Sequence, residues 1–138
     1  MTNKTFWIGF VVVYVVMQVL GFLVHGVLLS DMYEGLASIF RPESEMMDMM
    51  WMMYVSGAVT VFMFCYIFTK GYEGKGVMEG VRYGVLVSFL MAGAWTIDPH
   101  VIFPLPANVA SAWLLSGFVS MMIAGGIFAA IYKPDTPG

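Results

Sequence analysis

The chain has 138 residues, 60% of them hydrophobic and 11% charged, with a mean hydropathy of +0.84 and a formal net charge of -3. A soluble domain of this length is nearer half apolar and a quarter charged, so the composition is that of an integral membrane protein, one domain over residues 1–138. The single cysteine, Cys65, excludes an intrachain disulfide and a cysteine-built zinc or iron–sulfur site within one chain, and no basic patch invites nucleic acid.

Residues 6–29 are apolar apart from Tyr14, Gln18 and His25. About 20 helical residues cross the roughly 30 Å of hydrocarbon in a bilayer, so this run predicts a first membrane span. Lys4 precedes it as in a signal peptide, but the run is too long for the apolar part of one and no small-residue cleavage site follows. Next, Met32, Leu36, Ile39 and Phe40 recur at helical spacing among Asp31, Glu34 and Ser38. That pattern predicts a short amphipathic helix at the membrane interface, stopped by Arg41 and Pro42. A second span is predicted over 46–69, with Glu43 and Glu45 ahead of it, where carboxylates favour the positive end of the helix dipole.

Residues 70–82 are the long polar, glycine-rich interruption, and they hold three of the six Lys and Arg residues. A third span is predicted over 80–97, entered from about Val77 and ended by Asp98, Pro99 and His100, since proline cannot continue the hydrogen-bond ladder. Pro104 and Pro106 keep the next connection irregular, and a fourth span over 107–132 stops at Lys133 and Pro134. With four spans, Lys4, Lys70, Lys75, Arg82 and Lys133 fall on the hinge side, against Arg41 alone on the other. This bias predicts that both termini and the hinge are cytoplasmic. The expected fold is all-α: a four-transmembrane-helix bundle of two hairpins plus the interfacial helix.

The hairpins carry a trace of internal duplication. Gly9 and His25 match Gly84 and His100 at one offset, and the stretch from Val55 to Thr60 resembles that from Leu115 to Ser120 at another. Chance matching in apolar sequence of low diversity is the competing explanation. Small residues at four-residue spacing, Gly80, Gly84, Ser88 and Ala92 in the third span and Gly117 and Gly125 in the fourth, predict faces where helix backbones approach closely. Those faces serve either within one bundle or between protomers.

Chemistry-bearing residues are few. His25 and His100 are the two histidines, both at the end opposite the hinge, where they are candidates to bind haem or a metal between helices. The commoner role is an interfacial histidine hydrogen-bonded to a neighbour or water. Met46, Met49, Met50 and Met53 share a helical face, and thioethers select Cu(I); methionine is equally an adaptable filler and partner surface. Gln18 lies near mid-span, with Thr60, Ser88 and Ser120 available to hydrogen-bond between helices. No charged residue occupies a span centre, which argues against an ion-coupled transporter, and no catalytic triad, phosphate loop or HExxH motif is present.

Gly21, Gly26 to Leu29, Tyr66 to Phe68, Lys70 and Gly71, and Gly80 to Gly84 resemble small bacterial four-helix inner-membrane proteins classed as a domain of unknown function, over most of the chain. The resemblance implies the four-helix fold and a bacterial inner membrane, and it carries no catalytic or binding residue. The function expected from the sequence is a non-enzymatic subunit that packs into a homo-oligomer or larger membrane complex through its small-residue faces. Its acidic, methionine-rich surface over residues 31–51 would contact a periplasmic partner. The alternative is a haem or copper protein using His25 and His100 or the methionine cluster. A pocket between the hairpins for a lipid or quinone tail is a third.

Overall fold

A computed structural model describes residues 3–135. Long apolar stretches leave the backbone no partner in lipid but itself, so each becomes a helix. In order these are α1 (Lys4–Gly21), continued by a π-helical stretch Phe22–Leu28; α2 (Ser30–Glu34); α3 (Glu43–Lys70); α4 (Val77–Ala92), continued by π-helical Gly93–Ile97; α5 (Asp98–Ile102); and α6 (Ala107–Ile131). Four helical stretches, Lys4–Leu28, Glu43–Lys70, Val77–Ile102 and Ala107–Ile131, are long and apolar enough to cross a membrane, which makes the chain multi-pass by length and hydropathy. No strand occurs among the described residues.

The helices alternate in direction, so both termini and the Lys70–Val77 hinge gather at one end. There Asn3 caps α1 by accepting from the Phe6 N–H at 3.0 Å. Its amide also donates to the Lys133 carbonyl at 2.7 Å, joining the two terminal segments. Phe6 is buried against Phe62 and Phe128, and Phe68 packs edge-on to Tyr83 and Phe128, so aromatic rings from all four long helices interlock. The Tyr83 hydroxyl donates to the Phe64 carbonyl at 2.7 Å, fastening α3 to α4.

The hinge closes on one carboxylate. Glu79, buried in the first turn of α4, accepts from the backbone N–H groups of Glu73 and Lys75, each at 2.6 Å. Gly74 and Gly76 make this loop possible, because both have φ near +75°, a conformation that costs other residues a Cβ clash. Glu73 and Lys75 pair at the exposed rim, and that partner holds the Glu73 carboxyl below the usual carboxylate range.

The α4–α6 pair is the tightest in the bundle. A Cβ added at Gly80 would collide with the Gly125 carbonyl, one at Gly84 with the Met121 carbonyl, and one at Gly125 with the Gly80 carbonyl. Ser88 continues the row with its hydroxyl turned back onto the Gly84 carbonyl at 2.8 Å, and Ala92 is half-buried above it. The small-residue faces are thus used inside the chain. Gly117 departs from the expected row: it is exposed, and a Cβ there would meet nothing within 4 Å.

Two further sequence expectations are corrected. Pro99 does not end the third span, which continues helically to Ile102. The wide turn Gly93–Ile97 just before it loosens the ladder where the proline ring would strike the carbonyl four residues back, and Phe103 N–H resumes bonding at the Pro99 carbonyl, 2.8 Å away. The expected amphipathic helix over 31–44 is helical only at Ser30–Glu34, ending at Gly35 in successive tight turns. Its apolar residues instead fold inward: Leu36 is buried with Leu105 and Val109, flanked by Ile39, Phe40 and Trp113. The methionine-rich part of α3 stands apart from the packing. From Glu43 to Ser56 every residue of α3 but Met50 is exposed.

Gly84→Leu should therefore break the α4–α6 contact within one chain, lowering stability by about 3 kcal/mol or more from overpacking. Gly117→Leu should leave it unchanged. Unfolding midpoints in mixed detergent micelles measure both, and equal midpoints for the two variants would refute the assignment. Glu79→Ala should cost about 2–3 kcal/mol by freeing two N–H groups bound to a charged acceptor, seen as a lower melting temperature.

Candidate functional site

The opposite half of the bundle is hollow, because α3 leans away there and no small-residue row draws it in. Two adjoining cavities result, of about 340 and 430 Å³. Both are lined by Met17, His25, Trp95 and Met121, so they meet around these four side chains. The smaller lies among α1, α4 and α6, with Leu20, Met91, Leu114 and Phe118 on its apolar walls and Ser88, Thr96, Ser116 and Ser120 between them. The larger lies between α1 and α3, lined by Gln18, Met53, Ser56, Gly57 and Thr60. Met53 and Trp95 are exposed, so the space opens sideways between helices. No Asp, Glu, Lys or Arg lines either cavity.

His25 stands where the cavities meet the end opposite the hinge. Its Nδ1 lies 2.6 Å from the Tyr33 hydroxyl, and the Trp113 indole N–H donates to that same hydroxyl at 2.7 Å. The indole proton occupies one lone pair of the phenol; with the phenol's own proton directed to Nδ1, a neutral imidazole carries its proton on Nε2, as a donor. Burial pushes the Tyr33 phenol above its ordinary range, opposed by the Trp113 hydrogen bond, and the hydroxyl stays protonated through neutral pH. The π-helical stretch Phe22–Leu28 carries His25, and the turn after Leu29 folds Tyr33 back over it.

Gln18, on α1 seven residues before His25, lines the larger cavity with it. A Cβ on Gly57 would lie 3.2 Å from its amide nitrogen, so the glycine in α3 leaves room for that amide. Gln18 has no side-chain hydrogen bond to another described residue. Of the other cavity hydroxyls, Ser88 and Ser116 already donate to carbonyls of their own helices.

The structure separates the other candidates from this place. His100 is exposed on α5 and lines neither cavity. Met46, Met49 and Met53 are exposed on the unpacked part of α3, with Met50 half-buried, and of these only Met53 reaches a cavity. Among the described residues no group of three or more His, Cys, Asp and Glu is placed to hold a metal ion. Tyr33 and Trp113, the partners of His25, were not legible in the sequence: they stand 8 and 88 residues away from it. The one clue in the sequence was that Trp113, like His25, lies at the end opposite the hinge.

No protein-family model, curated protein or solved structure matches this chain.

Tyr33→Phe should release His25 from its single tautomer. Nitrogen NMR of histidine-labelled protein is expected to show an Nδ1 acceptor and Nε2–H in the native chain, and exchange-broadened signals in the variant. An Nδ1–H signal in the native chain would contradict the hydrogen-bond order.

Proposed function

We propose that this protein is a non-enzymatic, multi-pass subunit of a bacterial inner membrane that holds a lipophilic small molecule in its hollow half. The observation that carries the reading is the pair of joined, sideways-opening cavities in a chain whose other half is packed ring against ring. Ligand sites between helices of a bundle are concave, mostly apolar and marked by a few convergent polar groups. The lining here fits that description. Five of the six Lys and Arg residues lie at the packed end, which supports a cytoplasmic hinge and termini and a periplasmic cavity. A resemblance to bacterial inner-membrane proteins of unknown function points to the same compartment.

Assembly into an oligomer or larger complex then uses surfaces other than the glycine rows, which α4 and α6 occupy against each other. The acidic, methionine-rich segment 31–51 is the exposed candidate for a partner. Haem or copper binding has less support: Tyr33 engages His25, and His100 stands outside both cavities. The matching offsets of the two hairpins agree with duplication, and α1 and α4 both pass into π-helix towards the same end.

Filling the cavities tests the reading. Protein purified from its native membrane should carry a lipophile in the organic extract, detected by mass spectrometry at near one per chain. Gly117→Trp and Thr60→Trp, one in each cavity, should together remove it without loss of folded protein. Identical extracts from native and filled proteins would overturn the proposal, and an absorption spectrum of the same sample reports haem or copper directly.

A further inference from the structure

The polar groups of the larger cavity narrow the chemistry of its occupant, and the step taken here rests on the cavity being a ligand site. The lining carries no charged side chain. An anionic head such as phosphate would be desolvated there without a counter-charge, at a cost of several kcal/mol. The occupant is therefore uncharged.

Two side chains of the first span then ask for acceptors. Gln18 has no hydrogen-bond partner among the described residues, and an amide left so within a membrane span is costly. His25 has Nδ1 engaged by Tyr33, so Nε2 is the ring nitrogen left to meet an occupant, as a donor when Nδ1 accepts. Both side chains line the same cavity of about 430 Å³. They stand seven residues apart, Gln18 on α1 and His25 on its π-helical continuation, at two places on that cavity's wall. A ring bearing two opposed carbonyl oxygens accepts from one such donor at each end. Trp95 and Met17 flank the same space with an aromatic face and a polarizable thioether, both suited to a flat electron-poor ring. The adjoining apolar walls of Leu20, Met91, Leu114 and Phe118 suit a hydrocarbon tail.

We infer that the larger cavity binds the head of a quinone, one carbonyl accepting from His25 Nε2–H and the other from the Gln18 amide, with the tail in the adjoining cavity. A hydrocarbon or a lone alcohol leaves one or both donors unpaired, and sites built to hydrogen-bond a ligand discriminate strongly on that ground. Gly57 belongs to the same device, since a side chain there would press on the Gln18 amide.

Duroquinone and durene, equal in shape and differing only in the two oxygens, provide the test. Binding of duroquinone to the detergent-solubilised full chain is read by quenching of tryptophan fluorescence, and durene is read by its displacement of duroquinone. Saturable quenching is expected. It should weaken about tenfold in Gln18→Leu, which removes an unpaired amide and breaks no internal contact, and about tenfold in His25→Phe, the loss of one hydrogen bond apiece. Durene should compete at least a hundredfold less well than duroquinone binds. If durene competes as well as duroquinone binds and neither variant matters, while Thr60→Trp still blocks both, the quinone assignment fails and the cavity reading stands. If neither probe binds saturably and Thr60→Trp changes nothing, both fail.

Discussion

Contact between the backbones of α4 and α6, at Gly80, Gly84 and Gly125, is the constraint from which the remaining architecture follows. Lipid tails are as apolar as leucine, so no hydrophobic force gathers helices within a bilayer, and close van der Waals approach does the work instead. The glycines allow that approach and make the second hairpin a rigid pair. The first hairpin has no comparable row and attaches through bulky rings. Phe6, Phe64 and Phe68 fill the end near the hinge, where Glu79 also pins the loop. Nothing equivalent exists over residues 43–56 of α3, where six of the fourteen side chains are flexible thioethers. The packed and hollow halves have one cause: the two kinds of contact that join helices, glycine rows and ring clusters, are both absent beside residues 43–56 of α3.

The polar residues of the hollow half are arranged rather than scattered. The segment after α1 returns as a short turn of helix and buries Leu36 beside Leu105 and Val109, and that burial brings Tyr33 between His25 and Trp113. An apolar contact after α1 thereby places the phenol that engages His25. Gln18, deeper in the same helix, owes its room to a glycine on the neighbouring one. Both His25 and Gln18 thus owe their setting to other segments of the chain: His25 to Tyr33, which lines neither cavity, and Gln18 to the missing side chain of Gly57.

The four spans, their order and the gathering of basic residues at one end were legible from hydropathy and charge alone. These are one-dimensional signals, and a bilayer imposes a one-dimensional rule on helix length. The row Gly80, Gly84, Ser88 was legible for the same reason, being a periodicity. What the row packed against was not, since spacing identifies a face and not its partner. Pro99 misled because its effect depends on the five residues before it, which widen to π-helix and absorb the ring. Residues 31–44 misled because helical spacing of Met32, Leu36, Ile39 and Phe40 is satisfied just as well by tight turns once Gly35 interrupts the ladder. The cavities left no periodic trace. They arise from the angle at which α3 departs, and angle is a property of packing that single residues do not encode.

That departure gives the molecule the mechanics of a lever. The second span is clamped near Phe64, and Met46 lies eighteen residues further along the same helix. At 1.5 Å per residue, a tilt of about 5° at the clamp displaces Met46 by about 2 Å. The displacement shrinks in proportion towards Ser56 and Gly57, which border the larger cavity. Helices also tilt to match their apolar length to the hydrocarbon around them. A small change of tilt at the clamp is thus felt most at the methionine end of α3 and least beside Gly57, so the mouth between α1 and α3 is the part of the cavity wall most easily moved.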